Sequence, residues 1–144
     1  MNLGEAAAAF REMAERAKSE LALVACEEAA KDYLAVLRFV TPKRTGALAE
    51  SEHIDAVFGG GTHATAVVAP HKVYADIVND GGTVTRDLAR PHVLGNPAVG
   101  FFGHGNPATV TIKARNYMQR AAGMARGPVA VACQRAADEF FTLP

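Results

Sequence analysis

Residues 33–46 read Tyr33-Leu34-Ala35-Val36-Leu37-Arg38-Phe39-Val40-Thr41-Pro42-Lys43-Arg44-Thr45-Gly46, and the change of character at Thr41-Pro42 decides the fold. Before it, Tyr33, Leu34, Leu37 and Val40 recur at helical spacing. Towards the N-terminus the same stripe runs on through Val24, Leu21, Ala17, Met13 and Phe10, with no proline before Pro42. The first forty residues are therefore expected to form one long helix. Pro42 ends it, because the residue before a proline avoids helical dihedrals. The middle of the stripe is mostly alanine, which suits close approach of another helix or a sheet. About 36 helical residues span roughly 54 Å, whereas a compact domain of this size is nearer 40 Å across, at about twice and a half its radius of gyration. Such a helix must bend, break or project. If it projects, its stripe needs a partner chain.

After the loop 41–46, Ala47 to Ser51 reads as a short helical turn. Ile54–Phe58 and Thr62–Ala69 read as strands, and Gly59-Gly60-Gly61 between them makes a hairpin the expected connection. Pro70 stops the second strand. Val73 to Asn79 reads as a short helix, with Tyr74 anchoring it in the core and Gly81-Gly82 closing it. Thr83–Arg86 and Thr109–Ile112 alternate and favour strand. They predict an extended hairpin, 83–113, carrying the long loop Pro91–Pro107. A connection of that length is functional or disordered more often than not, and it is expected to order on assembly. Phe101-Phe102 within it mark either an interaction site or a tuck onto the sheet. Asn116–Arg126 and Pro128–Phe141 are two helical stretches, with a kink or a break open at Gly127-Pro128. The fold class is α+β in a single domain, 1–144: a long N-terminal helix, a small mostly antiparallel sheet with an extended hairpin, and a C-terminal helix.

The fifteen basic and fifteen acidic residues cancel. That balance argues against a protein whose main task is neutralising nucleic-acid phosphates, and it favours association over dispersal. No apolar run approaches the roughly 20 residues of a membrane span, and Met1-Asn2-Leu3-Gly4-Glu5 lacks the pattern of a signal peptide. Cys26 and Cys133, far apart in alanine-rich stretches, read as buried thiols in a reducing compartment.

Catalytic vocabulary is thin. The histidines at 53, 63, 71, 92 and 104 form no zinc-like pair at helical spacing, so no metal is expected. Gly59-Gly60-Gly61 lacks the lysine and hydroxyl residue of a phosphate loop. Ser19 and Ser51 lack a nucleophile-elbow setting. The one conceivable acid–base set is His71 with Asp76, joined by His92 or His104. It defines a remote reading as a small cytosolic hydrolase.

Three stretches in order resemble one family. Thr41-Pro42-Lys43-Arg44-Thr45-Gly46-Ala47-Leu48-Ala49-Glu50-Ser51 is similar to the T-P-x-x-T-G-x-L-x-x-S stretch of siphophage head–tail joining proteins. These are also called neck or tail-completion proteins and are related to the minor tail protein Z of phage lambda. Val73-Tyr74-Ala75-Asp76-Ile77-Val78-Asn79-Asp80-Gly81-Gly82 resembles that family's Y-A-x-x-V-E-x-G-T stretch, with Asn79 in place of glutamate. Lys113-Ala114-Arg115-Asn116-Tyr117-Met118-Gln119-Arg120-Ala121 stands where the family has A-R-P-F-L-R-P-A, without its prolines.

The resemblance implies a structural virion protein, not an enzyme, with no cofactor and no metal. It implies a ring of itself, six copies in the usual case, at the phage head–tail joint. That ring would connect the head-side connector or stopper protein to a tail terminator or tail-tube protein. DNA would pass through the channel without sequence-specific binding, and no membrane is involved. The protein would be made in the host cytoplasm. An alternative within the same class is a tail terminator or tail-tube-associated protein. Thr41, Pro42, Thr45 and Gly46 are read as the turn that sets the helix against the sheet. Tyr74, Val78 and Gly81 are the core of the second motif. Val84, Arg86, Phe101, Phe102, Val110 and Ile112 are interface candidates, and Lys43 and Arg44 are candidates for facing DNA.

Overall fold

The computed structural model of the chain describes residues 2–85 and 109–142. It divides into two compact units, residues 1–72 with 117–144, and residues 73–116.

In the first unit the helix starts at a capping box. The Asn2 side chain accepts from the Glu5 N–H at 2.9 Å, and the Glu5 carboxylate accepts from the Asn2 N–H at 2.8 Å. Helix α1 spans Leu3–Arg16, a π turn follows over Ala17–Leu21, and α2 spans Ala22–Val40. Thr41 then turns extended (φ −62°, ψ 133°) ahead of Pro42. The stripe read from sequence divides at the π turn. Helix α1 buries no residue, whereas α2 buries Ala29, Ala30, Leu37 and Val40.

A short helix α3 (Ala47–Glu50) follows Gly46, whose φ of 81° lies in the left-handed region. Strands β1 (Glu52–Gly60) and β2 (His63–Pro70) pair antiparallel from Glu52↔Pro70 to Gly60↔His63, so the turn falls at Gly61-Thr62. Gly59 sits at φ 138°, and a Cβ there would run into the His63 carbonyl of the facing strand. The hairpin and helix α5 (Tyr117–Phe141) both pack on α2.

Helix α5 continues without interruption through Gly127-Pro128, which corrects the expectation of two stretches. Pro128 has no N–H to give the preceding turn, which costs about 3 kcal/mol in a helix interior. Ala121 and Ala125 before it, and Ala132 and Ala136 after it, are all buried on one face. That shared face holds both halves on one axis. The alanine stripes of α2 and α5 let the two backbones come close, as small residues do at helix crossings. Gly123 and Gly127, by contrast, have open space where a Cβ would be. Each Gly→Ala change should therefore raise stability by about 0.5–1 kcal/mol, read as a higher urea midpoint with an unchanged slope. Cys26 and Cys133 are free and half-buried. Burial first, and then the neighbouring Cys133, push the Cys26 thiol up.

The second unit holds α4 (Ala75–Asp80), β3 (Gly82–Thr85) and β4 (Thr109–Ile112). β3 and β4 pair antiparallel with Thr83 opposite Thr111 and Val84 opposite Val110. Among the described residues, β1 pairs with β2 and β3 with β4, each pair a two-stranded sheet. Gly81 caps α4 at φ 78°; a Cβ there would lie 2.7 Å from the Ala114 nitrogen. The N–H groups of Arg115 and Asn116 close the unit by donating to the Asn79 carbonyl at 3.1 and 2.8 Å. Tyr74 is 40% exposed, so it does not anchor the short helix in a core. It stands at the N-cap, and a six-residue helix has one inward face, which Ala75 and Asn79 occupy at i, i+4. The loop Pro91–Pro107, with Phe101 and Phe102, and also Arg86, lies outside the described residues.

Candidate functional site

The 41–52 segment joins helix to sheet through side chains. Thr41 is buried, and its Oγ1 lies 2.7 Å from the Leu37 carbonyl oxygen and 2.5 Å from Glu52 Oε1. Arg38 Nη2 donates to the Glu52 carbonyl oxygen at 2.5 Å. Glu52 is the first residue of β1 and is fully buried, so the end of α2 is bonded to the start of the hairpin. Burial pushes the Glu52 carboxyl above its ordinary range, against the opposing pull of the Thr41 hydroxyl and the Arg38 charge. A hydroxyl has one proton. The Thr41 hydroxyl thus reaches two acceptors, the Leu37 carbonyl and Glu52 Oε1, with one proton to give. The other carboxyl oxygen, Oε2, has no hydrogen-bond partner among the described residues. The Thr45 hydroxyl accepts from the Ala47 N–H at 3.4 Å at the start of α3. Lys43 and Arg44 are exposed and take part in no salt bridge among the described residues. Glu52 carried no signal in the sequence, where it falls just before the expected strand Ile54–Phe58.

Several large apolar side chains are exposed. Leu3 is 92% exposed and Phe10 67% on α1, and Phe39 and Phe58 also face out in the same unit. The base of α1 is tied down where the Arg16 guanidinium sits 5.3 Å over the Phe140 ring. Cys26, Ala29, Ala30 and Tyr33 of α2, Ala66 and Val68 of β2, and Val129 of α5 line an open apolar hollow of about 360 Å³. In the second unit Val73 and Tyr74 are exposed. Val84 and Val110 are cross-strand partners, and Ile112 lies opposite Gly82.

Of the acid–base set read from sequence, only His71 lies among the described residues of the first unit. His71 takes Asp55 as its carboxylate partner, with Nε2 2.6 Å from Oδ1. Asp76 belongs to the other unit, and His92 and His104 lie outside the described residues. Both serines spend their hydroxyls on helix carbonyls: Ser51 donates to Leu48 at 2.7 Å, and Ser19 lies within reach of Glu15 and Arg16. The His71 ring stacks on His53 at 4.1 Å and 5°. The alternation of His53 and Asp55 on one strand was the available signal for this cluster, and spacing rules built for helices passed over it.

A family model described as "Bacteriophage HK97-gp10, putative tail-component" matches residues 3–81. The matched region is 79 of 144 residues and includes the whole 41–51 stretch and nearly all of the 73–82 stretch. Comparisons with curated proteins and with solved structures returned no significant match.

Proposed function

Because the chain belongs to the HK97 gp10-like family of bacteriophage tail components, we propose that it is a ring-forming structural subunit of the head–tail joint. In this reading it is a neck or tail-completion protein akin to the minor tail protein Z of phage lambda. Copies of the chain, six in the usual case, close head to tail around the channel that DNA passes through. The ring connects the head-side connector or stopper to the tail terminator or tail-tube protein.

The observation that carries this reading is helix α1. It is capped and regular, yet it buries nothing and holds Leu3 and Phe10 out in solvent. Fourteen residues give it about 21 Å of length. A subunit that must join a closed ring needs a surface that another copy completes, and α1 supplies one. The exposed pair Lys43 and Arg44 suits a channel wall, where cations meet phosphates without reading sequence.

Double substitution Leu3→Asp and Phe10→Asp tests the ring. The variant should keep the wild-type thermal midpoint, because neither side chain belongs to the core, and it should lose rings in negative-stain images and in sedimentation velocity. A wild-type chain that stays monomeric at high concentration, with its connector and tail-tube neighbours present, would sink the proposal.

A further inference from the structure

We propose that His53, Asp55 and His71 form a binding site for a divalent transition-metal ion of the zinc or cobalt type. The site sits on the outer face of the first hairpin, and nothing in the structural role above requires it.

The hairpin register builds it. Glu52 faces Pro70 and His53 faces Ala69 across the ladder. His71 extends the ladder by one step, its N–H donating to the Ser51 carbonyl at 3.1 Å. His53 and His71 are therefore diagonal neighbours on one face of an antiparallel pair, within reach of each other's side chains. Asp55, two residues past His53, points to that same face by the alternation of a strand. The register shifts between Ile54 and Ala56, which makes Asp55 the extra residue of a β-bulge. Bulges re-aim side chains in this way, and here Asp55 is brought to 2.6 Å from His71 Nε2.

One ligand atom from each of the three residues lies within 4.8 Å of the other two. Ligand bonds of about 2.0–2.2 Å around one ion would place those atoms roughly 3.3 Å apart. Small χ rotations of three exposed side chains supply the difference. The donors come from a strand and from the residue that extends its partner, both fixed by backbone hydrogen bonds, which is the footing a precise site needs.

Donor chemistry selects the ion. Two imidazoles and one carboxylate suit zinc, cobalt or nickel, whereas magnesium and calcium prefer all-oxygen shells. Three protein ligands leave at least one position for water. The His71 side chain is 49% exposed and that of Asp55 31%, so an ion enters without opening the fold. The alternative occupant of this face is none at all, a solvated His–Asp pair beside a stacked ring.

Calorimetric titration of the full chain with Zn²⁺ alone, after chelator treatment and buffer exchange, separates the two. One ion per chain with micromolar or tighter affinity is expected. His53→Ala and His71→Ala should each weaken binding at least tenfold, and Asp55→Asn several-fold, with unchanged far-ultraviolet circular dichroism. His63→Ala, a substitution elsewhere on the same hairpin, should leave binding as it is. Titration with Co²⁺ should give visible d–d absorption that His71→Ala abolishes. No saturable Zn²⁺ binding by the wild type, or equal binding by the wild type and His53→Ala/His71→Ala, overturns the proposal. Ring formation is not read by either titration, so the two proposals fail separately.

Discussion

Ala132→Leu is expected to destabilise the first unit by about 3 kcal/mol, among the larger costs of over-packing. Ala132 is 1% exposed and lies on the buried face of α5 that also carries Ala121, Ala125 and Ala136. Helix α2, which packs on α5, also presents small buried residues, Ala29 and Ala30. Ala132 takes no part in lining the open hollow beside Ala29, Ala30 and Val129, and close packing leaves no reservoir of space at its own position, so three more carbons must push the helices apart or force a poor rotamer. A loss of this size in a chain of this length lowers the thermal midpoint by roughly 6–12 °C. Val131→Leu is the control one residue away. Val131 is 61% exposed, and its substitution should change stability by no more than about 0.5 kcal/mol. Similar midpoints for the two variants would mean that the alanine seam is not tightly packed.

Thr41→Val should cost about 2 kcal/mol. The change keeps the shape but removes the only side-chain hydrogen bond of the Glu52 carboxyl among the described residues, and it leaves a buried polar group unmatched. The same network predicts a pH dependence. Glu52 is held above the ordinary glutamate value of 4.5, by burial first of all. Between the unfolded and folded values the native chain then binds more protons than the unfolded one, so stability falls as pH rises. The loss begins near pH 4.5 and is complete once pH has passed the raised folded value. Glu52→Gln removes the titration. Its urea midpoint should gain on the wild type as pH rises through this window and stay ahead at neutral pH. Parallel curves, or a wild type that gains with pH, would mean that Glu52 is charged in the native chain.

Features set by local chemistry were legible in the sequence. Pro42 ended the helix because its ring restricts Thr41, and Gly59-Gly60-Gly61 marked the first hairpin. The Thr/Val alternation at 83–86 and 109–112 found two strands that do pair. Features set by packing were not legible. Pro128 predicted an interruption because local propensity is blind to the alanine face that runs past it. Tyr74 was placed inside because aromatics usually are, yet the inward face of α4 is filled by Ala75 and Asn79. Glu52 falls between the helical turn and the strand read from sequence, and only the fold places it, buried, at the end of α2. His53, Asp55 and His71 are brought together by a ladder register and a bulge, and neither can be read from composition or helical spacing.

The π turn at Ala17–Leu21 works as a phase setting for the N-terminal arm. It holds one more residue than an α turn would, and each residue of helix turns the chain by about 100°. Everything N-terminal to it, Leu3 and Phe10 included, is therefore rotated by that angle relative to the stripe that α2 lays on the core. Deleting a single residue within 17–21 would restore an ordinary helix and leave the core untouched. It would also swing the outward face of α1 through about a quarter of a circle. The direction in which the exposed face of α1 points is thus encoded separately from the stability of the core below it.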